Sequence, residues 1–84
     1  MEKSTFTREY TTLRRLLREA RERAGVTQVE LAERLGETQS FVSKCERGER
    51  RLDLVQLRIW CGALGVGLAP FVQAFEAAVA KKRG

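Results

Sequence analysis

Apolar residues recur along this chain at three- and four-residue steps, the period of helices that bury one face. Leu13, Leu17, Ala20 and Ala24 make the first such face and predict a helix over residues 11–24. The residues before Thr11 are polar, so residues 1–10 are expected to fray, with Phe6 and Tyr10 available to extend the apolar face. A second helix is expected over 28–35 with Leu31 and Leu35 inward; Thr27 and Glu30 stand at the spacing of a capping box. A third is expected over 39–47, capped by Thr38, with Val42 and Cys45 inward.

The fourth helix is expected over 54–64. Asp53 and Gln56 fit the capping box, and Leu54, Leu57, Trp60, Cys61 and Leu64 supply the core face. Gly62 within it costs about 1 kcal/mol against alanine. The fifth is expected over 70–82, with Pro70 at its first position and Leu68, Phe71, Val72, Phe75 and Val79 as its stripe. Lys81, Lys82 and Arg83 sit where a helix dipole favours cations. Gly25, Gly36, Gly48 and Gly65 each follow a periodic segment, as helix-ending glycines do. No alternating β-branched run suggests a strand. The expectation is an all-α, compact five-helix fold, a single domain over residues 1–84.

Composition narrows the function. Hydrophobic residues make up 43% and charged residues 32% of the 84, as in globular chains rather than disordered ones. No apolar run approaches the ~20 residues of a membrane span, and the first residues lack the apolar stretch of a signal peptide. A cytoplasmic protein with no membrane role is expected. Cys45 and Cys61 lie far apart and there is no histidine, too few ligands for a structural zinc site. Buried, reduced thiols are the expectation. Neither a nucleophile with an evident base nor a phosphate-cradling glycine loop is present. Catalytic residues, metal and cofactor are all expected to be none. The net charge of +5 suits a polyanionic partner.

The informative stretch is Gln28 to Arg47, QVELAERLGETQSFVSKCER. Two short helices are joined by Gly36-Glu37-Thr38, the turn length of a helix-turn-helix unit. Ala32 is small where the helices must cross closely. With Val42 and Cys45 inward, Gln39, Ser40 and Lys44 project outward together, with Ser43 part-way round. Glutamine can bond adenine bidentately, lysine can reach guanine, and serine can serve either. Arg47, Arg50 and Arg51 follow this helix in a basic loop and are expected to supply at least one phosphate contact. The arginines of the first helix, Arg14, Arg15, Arg18 and Arg23, alternate with Glu19 and Glu22 and read as a solvated, partly paired face.

The phrases LREARERAGVTQVELAERLG, TQSFVSKCERGERRLD and ALGV resemble the phage-repressor-like (lambda/Cro, XRE-type) helix-turn-helix family over roughly residues 13–68. The resemblance implies that the third helix enters the major groove. It also implies that a homodimer binds a pseudo-palindromic double-stranded DNA operator, with half-sites about 34–36 Å apart. By the same likeness Gln39, Ser40 and Lys44 match base-facing positions, Gln28 a phosphate-binding glutamine, and Phe41 and Ser43 positions near the DNA backbone. Arg21 and Glu46 resemble an arginine–carboxylate pair tying the first helix to the reading helix. Cys45 departs from the family's usual isoleucine or leucine, and Ala69 from the usual serine or aspartate cap.

Phe71, Val72, Phe75 and Val79 are candidates both for core and for a dimer face. The resulting expectation is a sequence-specific transcription regulator, a repressor, acting as a dimer. The alternative is an antitoxin or restriction-system controller that binds a protein partner and autoregulates its operon.

Overall fold

The computed structural model describes the backbone of residues 3–83 and the side chains of residues 8–81. Five helices follow one another: α1 (Lys3–Arg23), α2 (Gln28–Leu35), α3 (Gln39–Arg47), α4 (Leu54–Ala63) and α5 (Leu68–Arg83). No strand occurs among the described residues. The fold is all-α, as the periodicity implied.

The caps form as their chemistry dictates. Thr27 Oγ1 accepts from Glu30 N at 3.0 Å, and Glu30 Oε1 accepts from Thr27 N at 2.8 Å. Asp53 and Gln56 repeat the exchange at 2.7 and 2.9 Å. Thr38 Oγ1 accepts from Phe41 N at 3.1 Å and starts α3. Each such cap contributes about 1 kcal/mol by giving an orphan N–H an acceptor. Gly36 and Gly48 end α2 and α3 in the left-handed conformation, at φ 70° and 83°.

Five boundaries differ from the sequence expectation; the ends of α1 at Arg23 and of α5 at Arg83 do so by a single residue. α1 begins at Lys3 rather than Thr11, because residues 3–10 contain no glycine or proline to stop it, polar though they are. Thr12, fully buried, donates from Oγ1 to Arg8 O at 3.2 Å and ties this extra length to the rest. Phe6, and Lys82 and Arg83 at the other end, lie outside the described side chains. α4 stops at Ala63, one residue early. α5 begins at Leu68, so Pro70 is its third residue rather than its first. A proline is tolerated there because N–H groups of the first turn lack helical acceptors. Gly67 O accepts from Phe71 N at 3.1 Å, so Gly67 holds the cap place and Ala69 lies inside the helix.

α1 packs on α3 and α5, α2 on α3 and α4, and α4 on α5. The core gathers Leu17, Val26, Leu31, Ala32, Val42, Cys45, Trp60, Cys61, Leu64 and Phe71. Both cysteines are free and buried, and burial raises both thiols, Cys45 to about 11. Leu54 departs from its expected place, and Phe71 takes the core position that was one of its two readings. Leu54 faces solvent at 66% exposure instead of the core. Phe71, a dimer candidate by sequence, is only 6% exposed and fills the core, so its ring is not available to a second copy. Val72 is exposed, while Phe75 and Val79 are half-buried. No single helix among the described residues is long and apolar enough to cross a membrane.

Candidate nucleic-acid interface

The α2–turn–α3 unit is fixed from below and open above. Leu31 and Ala32 of α2 and Val42 and Cys45 of α3 are buried, which sets the roll of both helices. That roll leaves Gln39, Ser40 and Lys44 exposed on one side of α3, and Phe41 and Ser43 half-buried at its edges. Ser40, Phe41, Lys44 and Arg50 line a common open hollow of about 220 Å³ with Glu37 and Thr38. Arg50 sits over the Phe41 ring, 5.1 Å from its centroid, which holds the guanidinium at the mouth of the hollow.

Beneath this surface runs a chain of hydrogen bonds. Arg21 donates to both carboxylate oxygens of Glu46, from Nε to Oε2 at 2.6 Å and from Nη2 to Oε1 at 3.0 Å. Its remaining nitrogen Nη1 donates to Val26 O at 2.9 Å. The Arg21 side chain is 11% exposed and that of Glu46 4%, so the pair is buried. The Glu46 carboxylate holds the Arg21 guanidinium above its ordinary, already high pKa. Gln28 Nε2 donates to Glu46 Oε1 at 3.0 Å, and Gln39 Nε2 donates to Gln28 Oε1 at 3.1 Å. One buried charge pair on α1 and α3 thus orients, through α2, the first side chain of α3.

This chain settles the Gln39 amide. Gln28 must present its oxygen to Gln39 because its nitrogen faces the Glu46 carboxylate, an acceptor only. Gln39 then spends one N–H on Gln28 and keeps one N–H and its Oε1 for a ligand.

The basic loop after α3 is also held. Tyr10 Oη donates to Arg50 O at 3.4 Å, and Arg51 lies 4.2 Å from the Tyr10 ring centroid. Arg47 pairs with Glu49, at 3.0 and 3.2 Å, and donates to Ser43 Oγ as well. The pairing raises the Arg47 pKa and lowers that of Glu49. Arg47 is therefore engaged with a carboxylate.

Arg14 differs from its expectation too. Arg15 and Arg18 pair with Glu19 and Glu22 as the helical spacing suggested. Arg14 instead donates from Nη1 to Arg47 O at 2.8 Å, giving the C-terminal end of α3 a charged donor. Its only sequence signal was a position one turn after Tyr10.

A helix-turn-helix family model, HTH_3, matches residues 17–71, from the middle of α1 to the first turn of α5. The chain belongs to this family. It is a DNA-binding, XRE-type helix-turn-helix protein of transcription regulation. Among solved structures it is similar to an XRE-family like protein from Pseudomonas syringae pv. tomato str. DC3000. The two are 45% identical at a TM-score of 0.84, over 90% of this chain and 93% of that one. It is also similar to the clp gene regulator ClgR from Corynebacterium glutamicum, 29% identical at a TM-score of 0.78, over 89% and 80% of the two chains. The wild-type restriction-modification controller protein C.Esp1396I, 21% identical at a TM-score of 0.78 over 86% and 95%, shares the fold. No curated protein matches this helix-turn-helix chain.

Proposed function

We propose that this chain is a sequence-specific repressor that reads a pseudo-palindromic duplex operator as a homodimer in the cytoplasm, each copy acting as one domain over residues 1–84. The observation that carries the reading is the hydrogen-bonded chain from Arg21 through Glu46 and Gln28 to Gln39. A solvated polar face needs no buried ion pair to orient its glutamine, whereas a base-reading face gains from one.

In this reading α3 lies in the major groove. Gln39 offers adenine an acceptor for N6–H and a donor for N7, the two groups its amide has left. Lys44 donates to a guanine and Ser40 to either partner of its base pair. Gln28 keeps one N–H, which donates to a phosphate at the edge of the groove. Phe41 and Ser43 lie against the sugar-phosphate backbone, and Arg50 and Arg51 neutralise phosphates beside it. Arg47 joins them by exchanging Glu49 for a phosphate oxygen. The net charge of +5 adds a sequence-independent attraction that weakens as salt rises.

Selection from random duplex DNA tests this. Recovery of an inverted repeat with half-sites about one helical turn apart is the expected result. Weak, salt-sensitive retention with no enriched sequence would overturn it.

A further inference from the structure

The first helix reaches past the core to the loop that follows α3. Tyr10 stands in the stretch of α1 expected to fray, yet it belongs to an unbroken helix and its side chain is half-buried. Its ring and its hydroxyl both meet the basic loop. Arg51 lies over the ring, 4.2 Å from the centroid, and Tyr10 Oη donates to Arg50 O at 3.4 Å. One turn on, Arg14 donates from Nη1 to Arg47 O at 2.8 Å. Its side chain runs against Gly48, where a Cβ would stand 2.5 Å from Arg14 Cδ. α1 thus pins the loop at two carbonyls, one on each side of Gly48, and gives one of its arginines an aromatic shelf. Neither Tyr10 nor Arg14 belongs to the apolar core.

The two loop arginines rest on different helices. Arg50 lies 5.1 Å from the Phe41 centroid, on α3 itself, whereas Arg51 lies on α1. Stacking uses the face of a guanidinium, while a phosphate is bound by the N–H groups in its plane. An arginine laid on a ring can therefore keep its stack and still meet a phosphate. What the shelf removes is freedom. A long side chain that must be ordered on binding weakens affinity, and one already ordered has less to lose.

We propose that Tyr10 is a positioning residue for DNA binding, its ring holding the Arg51 guanidinium ready for a phosphate. The proposal rests on the DNA-binding reading, and it assigns Tyr10 no contact with DNA. The hydroxyl of Tyr10 is engaged with Arg50 O and one face of its ring with Arg51, so it acts through the loop. A phosphate contact carries no sequence information, so the effect falls on operator and unrelated duplex alike.

The test is a double-mutant cycle on the full chain. Tyr10→Leu, Tyr10→Phe, Arg50→Ala, Arg51→Ala, and each arginine variant combined with Tyr10→Leu are titrated on a selected operator and on an unrelated duplex. Urea unfolding verifies that each variant folds. Should Tyr10→Leu not fold, Tyr10→Met takes its place, an adaptable side chain without a ring. Tyr10→Leu is expected to lose about fivefold in affinity on both duplexes. Tyr10→Phe, which keeps the ring, is expected within about twofold of the wild type. The loss from Tyr10→Leu is expected to vanish in the Arg51→Ala background and to persist in the Arg50→Ala background, because Arg50 has its own shelf on Phe41. Wild-type affinity in Tyr10→Leu overturns the proposal, as does a loss retained in full with Arg51→Ala. A loss that vanishes in both backgrounds also overturns it, since Tyr10 then holds the loop as a whole and not Arg51. If selection enriches no operator, base reading fails, and the cycle on the unrelated duplex decides the role of Tyr10 by itself. A wild type that binds neither duplex overturns both.

Discussion

Replacing Glu46 by methionine removes the acceptor at the centre of the buried chain of hydrogen bonds. Arg21, 11% exposed, is left with a charge and two unmatched donors, and only the bond to Val26 O survives. Breaking a buried pair from one side costs about 3–5 kcal/mol. A chain of 84 residues has a total stability of roughly 4–13 kcal/mol, so Glu46→Met removes a large share of it. At about 4–8 °C per kcal/mol for a domain of this size, the melting temperature falls by roughly 12–40 °C. Arg21→Met costs a similar amount, because it strands the Glu46 carboxylate with only Gln28 as donor.

The double variant Arg21→Met/Glu46→Met removes both charges and fills the space with apolar atoms. It is expected within about 2 kcal/mol of the wild type, since a well-packed apolar replacement of a buried pair is often near neutral. DNA binding separates from stability in this variant. Gln28 no longer has a carboxylate to fix its amide, so Gln39 is no longer oriented. Operator affinity is expected about tenfold below wild type, or roughly 1.4 kcal/mol, in a protein that is again folded. Urea unfolding followed by circular dichroism gives the stability half, and fluorescence anisotropy on a labelled operator the binding half. Single variants that cost under about 1 kcal/mol, as exposed pairs do, would refute the burial argument. A double variant that regains full operator affinity would refute the orienting role of the pair.

The remaining predictions concern backbone, protons and phosphates. Gly48→Ala is expected to destabilise by about 1–2 kcal/mol through its left-handed φ. Its new Cβ, 2.5 Å from Arg14 Cδ, also displaces the donor to Arg47 O, so the urea midpoint falls further than for Gly36→Ala, where nothing lies within 4 Å. Burial lifts the Cys45 thiol from its ordinary 9.0 to about 11. Stability held in full below pH ~9 is therefore lost progressively as pH climbs toward 11, by on the order of 2–3 kcal/mol. Unfolding titrations of wild type and Cys45→Val over that window check the sign, the variant showing the shallower decline. Arg50→Ala and Arg51→Ala are each expected to weaken binding to all duplexes alike and to reduce the slope of log K against log salt by about 0.9; an unchanged slope in both removes their phosphate role.

The parts of this fold written in local chemistry were legible in the sequence. Thr27 with Glu30, Thr38, and Asp53 with Gln56 start their helices where their spacing said they would. The ends marked by Gly36 and Gly48 were equally plain, since only a left-handed residue closes those turns easily. What depended on tertiary packing was not. α4 carries only Gln56 and Arg58 among its apolar residues and so has little contrast between its faces, and periodicity alone put Leu54 in the core when it faces outward. Pro70 was read as a helix start, but Gly67 accepts the first bond three residues ahead of it, and the helix begins at Leu68. In the site, the Arg21–Glu46 pair followed from family resemblance. The bonds from Gln28 to Glu46 and from Gln39 to Gln28 did not, because they join residues 18 and 11 positions apart and arise only when α2 and α3 cross.

The central claim is that α3 reads bases, with Gln39 and Lys44 addressing different positions. It is tested most directly by measuring wild type, Gln39→Ala and Lys44→Ala against the selected operator and every single-base-pair variant of one half-site. The account predicts that each substitution abolishes discrimination at one base pair, an adenine for Gln39 and a guanine for Lys44, worth about 1–3 kcal/mol there, and leaves the other positions discriminated as before. A uniform loss of affinity with every preference intact would contradict it and reduce α3 to a backbone contact.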